Sequence, residues 1–177
     1  MSSRSGNPGR PLTETMAGLK ISMMRLYLVQ HGEANPEDID PQRTLTDKGI
    51  DDVERVAAYM ARVWTTPVAQ IVHSGKTRAA QTASILAYHL ARGSTLQSAD
   101  GLSPNDDPTI WANRLQSMEA DTMLVGHLPH LARLAGCLLC GDPGKKVIQF
   151  QMAGVVCMRR TEGVWSVEWM ITPAVIP

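Results

Sequence analysis

The chain of 177 residues is predicted to adopt an α/β fold of three layers, α/β/α, with a mainly parallel central sheet and a C-terminal hairpin. The first observation is order: short β-rich runs alternate with helical patterns along most of the sequence, and repeated β-then-α order implies parallel strands with helices on both faces. The second is a pair of β-rich runs around Glu162-Gly163 near the end, which reads as an antiparallel hairpin. The third is size: 44% of the residues are hydrophobic, enough at this length for one core without disulfides or structural metal. One domain over 23–177 is expected, with no repeat and no linker.

Residues 1–22 mix Ser, Gly, Pro and Arg without the apolar centre of a secretion signal, and are expected to be a disordered extension. RLYLVQ (25–30) then reads as a central strand that runs into a loop at His31-Gly32. From Thr46 the period changes, with Ile50, Val53, Ala57, Met60 and Trp64 at helical steps and charged residues between them. Thr46 or Asp47 caps this helix and Pro67 ends it. AQIVHS (69–74) is a second strand, followed by a helix through Ala79, Ala83, Leu86 and Leu90 that stops at Gly93. A polar loop containing GLSPNDDP leads to a helix over about 110–118, TMLVGH (122–127) forms a third strand, and a helix follows through Leu131, Leu134, Ala135 and Leu138. VVCMRR and VWSVEW make the hairpin. Trp111, Trp165 and Trp169 are expected in the core or on a sheet face.

Several function classes are excluded at this stage. The 17 Lys and Arg balance 17 Asp and Glu, which argues against nucleic-acid binding, since that depends on many cations neutralising phosphates. The longest apolar candidate, 131–140, is short and broken by Arg133, so no membrane span is expected. An odd number of cysteines, 3, suits a reducing compartment, and the cytoplasm is the expected location. His127, His130, Cys137 and Cys140 resemble a zinc-ligand list. Along one helix, however, His127 and Cys140 would stand about 20 Å apart at ~1.5 Å per residue, whereas zinc ligands share one ion. The cysteines are expected to be buried, inert thiols. No metal and no other cofactor is called for.

In open α/β sheets, ligands bind beyond the carboxyl ends of the strands. Those ends carry Gln30-His31-Gly32, His73-Ser74 and Gly126-His127, so histidines from separate strands converge on one edge. Gly75-Lys76-Thr77 suggests a phosphate-binding loop, but the glycine this motif needs five positions earlier is Gln70. An anion site remains: Ser74 is a plausible helix cap, and Arg78 in the first turn is placed either to grip an anion beside free N–H groups or to form a surface ion pair. Gly32 lets a ligand approach the backbone closely, and a neutral His31 there is positioned to attack phosphorus. His127 is placed to stabilise the charge that develops.

RLYLVQHGEA, RTLTDKG, HSGKTRAAQT and LVGHLP, in this order and spacing, resemble the histidine phosphatase superfamily, and most closely its SixA-type phosphohistidine phosphatases. The resemblance runs from Met24 to the C-terminus and implies a phosphoglycerate mutase-like fold. It also implies that His31 is the phospho-accepting nucleophile, that His127 is the second pocket histidine, and that Arg78 and Arg43 bind the phosphoryl group. The implied activity is metal-independent removal of a phosphoryl group from a protein phosphohistidine, in a phosphocarrier or phosphotransfer domain, with inorganic phosphate as product. A small phosphoester is the alternative substrate. The family motif R-H-G is broken, because Gln30 takes the arginine's place and brings neither its charge nor its bidentate fork. This substitution predicts a weakened rate and leaves a non-catalytic phosphate- or partner-binding module as a rival. A general acid is expected in the segment holding Asp106 and Asp107, which are equally well explained as turn and cap residues.

Overall fold

In the computed structural model, which describes residues 23–64, 67–90 and 93–176, strand β1 (Met23–Gln30) occupies an interior position of a six-stranded sheet. The 1–22 extension lies outside the described residues. In chain order there follow helix α1 (Asp47–Val63), β2 (Gln70–His73), α2 (Thr77–Leu90), β3 (Thr95–Ser98), α3 (Pro108–Ser117), β4 (Thr122–Gly126), α4 (His130–Cys140), β5 (Val155–Thr161) and β6 (Val164–Ile171). The sheet order is β3-β2-β4-β1-β5-β6. β1, β2, β3 and β4 are mutually parallel, whereas β5 and β6 run antiparallel to their neighbours. The mainly parallel sheet and the terminal hairpin are both as expected. Glu162 and Gly163 both take positive φ in the hairpin turn, 50° and 83°, the backbone of a type I′ connection.

β1 explains how the layers are assembled. Successive side chains of a strand point to opposite faces. Leu26 and Leu28 enter the cluster completed by Trp111 and Leu115 of α3 and Leu131, Leu134 and Ala135 of α4. Tyr27 and Val29 enter the other cluster, with Val53, Val56, Ala57 and Met60 of α1 and Ala79, Ala83 and Leu86 of α2. Helices thus cover both faces, and the strand ends of the parallel part open onto one edge. Trp111 is buried, and Trp165 and Trp169 pack at the margins of the two clusters.

Three expectations are corrected. β3 lies in a stretch, between Gly93 and the GLSPNDDP loop, to which the sequence assigns no element. Its residues are all exposed on an edge strand, so no apolar alternation marks it. α3 starts at Pro108 because Asp107 caps it, accepting the Thr109 N–H at 2.9 Å. Of the two cysteines expected to be buried, Cys137 is half-buried and Cys140 is exposed, at the end of α4 just before the left-handed Gly141, while Cys157 is buried. No helix among the described residues is long and apolar enough to cross a membrane.

Thr46 is the cap of α1, its hydroxyl accepting the Gly49 N–H at 3.0 Å. The chain leaving β1 crosses this first turn so closely that a Cβ on Gly49 would stand 2.1 Å from the Glu33 carbonyl oxygen. Gly49→Ala is therefore expected to cost about 1–3 kcal/mol, read as a lower urea midpoint. Asp51→Ala, exposed on the same helix, should stay within about 0.5 kcal/mol.

Candidate active site

The edge formed by the carboxyl ends of β1 and β4 brings His31 and His127 together. The β1–β4 register ends at Gln30 opposite Gly126, and the His31 N–H adds one more bond to the Gly126 carbonyl at 3.2 Å. The two imidazoles follow side by side, with ring centroids 4.9 Å apart. From the neighbouring β2–α2 connection, Arg78 reaches in and donates from Nε to His31 Nε2 at 3.1 Å. His31 and Arg78 are 8% exposed and His127 is 2% exposed, so the cluster sits at the bottom of its edge.

These contacts fix the chemistry of His31. Its Nδ1 lies 2.7 Å from the Gly32 carbonyl oxygen. A carbonyl only accepts, so Nδ1 carries the proton and Nε2 presents its lone pair. Burial pushes the His31 pKa below the ordinary histidine value; the charges of Arg78 and Arg43 push in the same direction, and the bond to Gly32 opposes them. The ring is held neutral, the form in which imidazole is a nucleophile.

His127 shares a 2.6 Å hydrogen bond between Nε2 and the Ser74 hydroxyl, while its Nδ1 is buried without a partner. Burial, followed by His31, Arg78 and Lys76, pushes its pKa down to about 3. Ser74 was expected to cap α2. The helix instead starts at Thr77, and the hydroxyl crosses to His127. His73 accepts the Gly75 N–H at 3.1 Å.

The remaining sequence-derived candidates separate into two groups. Arg43, at a left-handed φ of 50°, donates from Nε to the Asn35 carbonyl at 3.3 Å. Its charge bears on His31 and on Arg78, whose pKa is lowered by burial and by Arg43 against the opposing pull of Glu37. Arg43 thus acts on the cluster through its charge, while its side-chain contact is with the Asn35 carbonyl. Gln30 is the last residue of β1, immediately before His31. It is 8% exposed, and its Oε1 is buried without a partner. Its main-chain carbonyl accepts the Ala153 N–H at 3.0 Å, tying the β5 approach to the site. The side of Gly32 where a Cβ would stand is filled by α1, with Gly49 O at 2.8 Å and Val53 Cγ2 at 2.9 Å, so close packing of that helix accounts for the glycine.

Asp106 accepts the Ser103 N–H at 2.8 Å, and Asp107 caps α3. The histidine on which both carboxylates act is His130; the charges that act on His31 and His127 are cations and imidazoles. Among the described residues, no group of His, Cys, Asp and Glu is arranged to hold a metal ion.

Two positioning side chains were not legible in the sequence reading. Thr82, fully buried, accepts the Gly32 N–H at 3.1 Å and donates to the Arg78 carbonyl at 2.8 Å. Gln81 accepts the Leu45 N–H at 2.8 Å. Helix α2 therefore carries Arg78 and also fastens the loop that follows His31 and the segment just beyond Arg43. The available signal was the four-residue spacing from Arg78 to Thr82, one helical turn on the same face.

The result is a neutral imidazole nitrogen surrounded by guanidinium groups and a second imidazole, a site matched to a tetrahedral anion. Neither protein-family models nor curated proteins match the sequence. Solved structures do match the fold. The protein histidine phosphatase SixA, determined with tungstate, superposes with a TM-score of 0.76 at 22% identity, over 87% of this chain and 100% of that one. A protein from Agrobacterium tumefaciens assigned as phosphohistidine phosphatase SixA gives 0.67 at 22% identity, over 84% and 97%. A histidine-to-alanine mutant of a phosphoserine phosphatase from Entamoeba histolytica, in complex with phosphoserine, gives 0.62 at 14% identity, over 85% and 98%. The chain has their phosphoglycerate mutase-like fold.

Removing a neighbouring cation should relieve the depression of the His31 pKa. In an NMR titration, Arg78→Ala is expected to move the His31 midpoint upward, toward the ordinary value of about 6.5. A midpoint that stays put or falls would contradict the electrostatic account.

Proposed function

We propose that the chain is a phosphatase of the histidine phosphatase superfamily that removes the phosphoryl group from a protein phosphohistidine through a covalent intermediate on His31. The observation that carries this reading is the single arrangement of His31 Nε2, deprotonated and met by Arg78 Nε at 3.1 Å, beside the His127 ring at 4.9 Å.

In the first step, the Nε2 lone pair attacks phosphorus. The new N–P bond forms as the bond to the leaving nitrogen breaks, and that nitrogen takes up a proton. The hydrogen bond that Arg78 makes to Nε2 at rest passes to a phosphoryl oxygen, and Arg43 adds a second cation nearby. A bound phosphoryl dianion also supplies the negative charge that the resting pocket lacks, which draws a proton onto His127 and makes it a donor to the developing charge. In the second step, water attacks phosphorus, the P–Nε2 bond breaks, and inorganic phosphate leaves with His31 neutral again.

The electrostatics favour this substrate over a small phosphomonoester. An alkoxide leaving group needs a proton from a well-placed acid, whereas an imidazole is protonated readily. Asp106 and Asp107, the candidate acids, are engaged by backbone N–H groups and act on His130. The rival of a non-catalytic binding module is motivated by Gln30, which brings no charge to the motif.

Rapid-quench assays with a phosphohistidine carrier protein are expected to show a burst of dephosphorylated carrier equal to the enzyme concentration, and His31→Ala should abolish both burst and turnover. Undiminished turnover in His31→Ala sinks the mechanism. Gln30→Arg is expected to raise the rate by ~10-fold or more, the worth of one charge-assisted contact to the transition state. Bound phosphate without turnover in either form would establish the binding module instead.

A further inference from the structure

Next to the active site, the first turn of α4 and the chain returning along it enclose a groove of about 370 Å³ lined by Pro129, Ala132, Arg133, Pro143, Gly144 and Lys146. Its shape follows from Gly136. After the left-handed Gly141 the chain doubles back, and the carbonyl oxygens of Asp142 and Lys145 lie 2.6 Å from where a Cβ on Gly136 would stand. The return path therefore lies flat against α4 and brings Lys146 into the same groove as Arg133.

This groove lies next in the chain to His127. It begins at Pro129, two residues beyond His127, a separation of at most ~7 Å along the chain. Leu128, 40% exposed, forms an apolar lip between them. Among the described residues, neither Arg133 nor Lys146 forms a salt bridge. Of the neighbouring acids, Asp142 accepts the Gly144 N–H of its own loop at 2.8 Å, and Asp107 caps α3, where the charge of Arg133 also acts on it. An apolar floor with cationic walls complements a peptide segment that carries carboxylates.

We propose that this groove docks an acidic segment of the phosphorylated substrate protein, a few residues from the phosphorylated histidine. The proposal rests on the phosphatase reading and adds to it the chemistry by which the substrate is chosen. A small phosphoester held at His31 gains nothing from this surface, whereas a protein segment spans both.

The test uses the full chain and three substrates: a phosphohistidine peptide flanked by Glu, the same peptide flanked by Gln, and phosphoramidate as a small probe. At low salt the Glu peptide is expected to show a kcat/KM about tenfold higher than the Gln peptide, the worth of two exposed ion pairs, with the difference in KM. Salt should erode the advantage. The double variant Arg133→Glu/Lys146→Glu should abolish it while leaving phosphoramidate turnover unchanged; the exposed Lys146→Glu alone should halve it or more. Equal kcat/KM for the two peptides, or a loss in the variants that extends to phosphoramidate, overturns the groove's role. A parent protein that hydrolyses none of the three overturns the phosphatase reading and the docking role with it.

Discussion

The hydrogen bond from Arg78 Nε to His31 Nε2, 3.1 Å long and almost shut off from water, is the contact on which the rest of the site depends. It requires an imidazole that accepts at Nε2, so the opposite nitrogen must donate, and the Gly32 carbonyl is there to receive that proton at 2.7 Å. It also requires that the guanidinium be tolerated near a second cation, Arg43, in a half-dry pocket. Burial is the largest cause of the lowered pKa values of His31, Arg78 and His127, and the repulsion among the clustered positive groups adds to it. Binding an anion relieves that repulsion, so the resting site carries an electrostatic preference for an anionic group.

The fold delivers this contact by simple means. Parallel pairing of β1 with β4 puts the residues just beyond each strand next to one another, and helix α2 supplies the third side. Thr82 holds the backbone after His31, and Gln81 holds the segment after Arg43. Both are on the helix that carries Arg78, so a displacement of α2 would move nucleophile, cation and loop together. The close crossing at Gly49 secures the other side, where α1 packs against the chain leaving β1. Side chains outside the cluster thus set the distances within it.

Much of this was legible in the sequence because it follows from periodicity. β1, β2 and β4 are apolar runs flanked by polar turns, the helices repeat at their proper spacing, and His31, Arg78 and His127 fall at element ends where topology alone brings them to one edge. What escaped was either weakly patterned or long-range. β3 is short, exposed and polar, so it has no periodic signature. The Ser74–His127 bond joins two connections 53 residues apart, and nothing local distinguishes Ser74 from a cap. Cys140 looked buried from the apolar residues around it, yet it falls at the last turn of α4, where the helix surface meets solvent. Gly32, read as room for a ligand, is occupied by α1 on that side.

The central claim is that one nitrogen, Nε2 of His31, accepts the phosphoryl group. It is tested most directly by quenching the enzyme during turnover of a phosphohistidine carrier and locating the label by phosphorus–nitrogen NMR coupling. The structure predicts phosphorylation at Nε2 of His31, because Nδ1 is committed to the Gly32 carbonyl. A label on Nδ1, a label on His127, or an enzyme that turns over without becoming phosphorylated would contradict it.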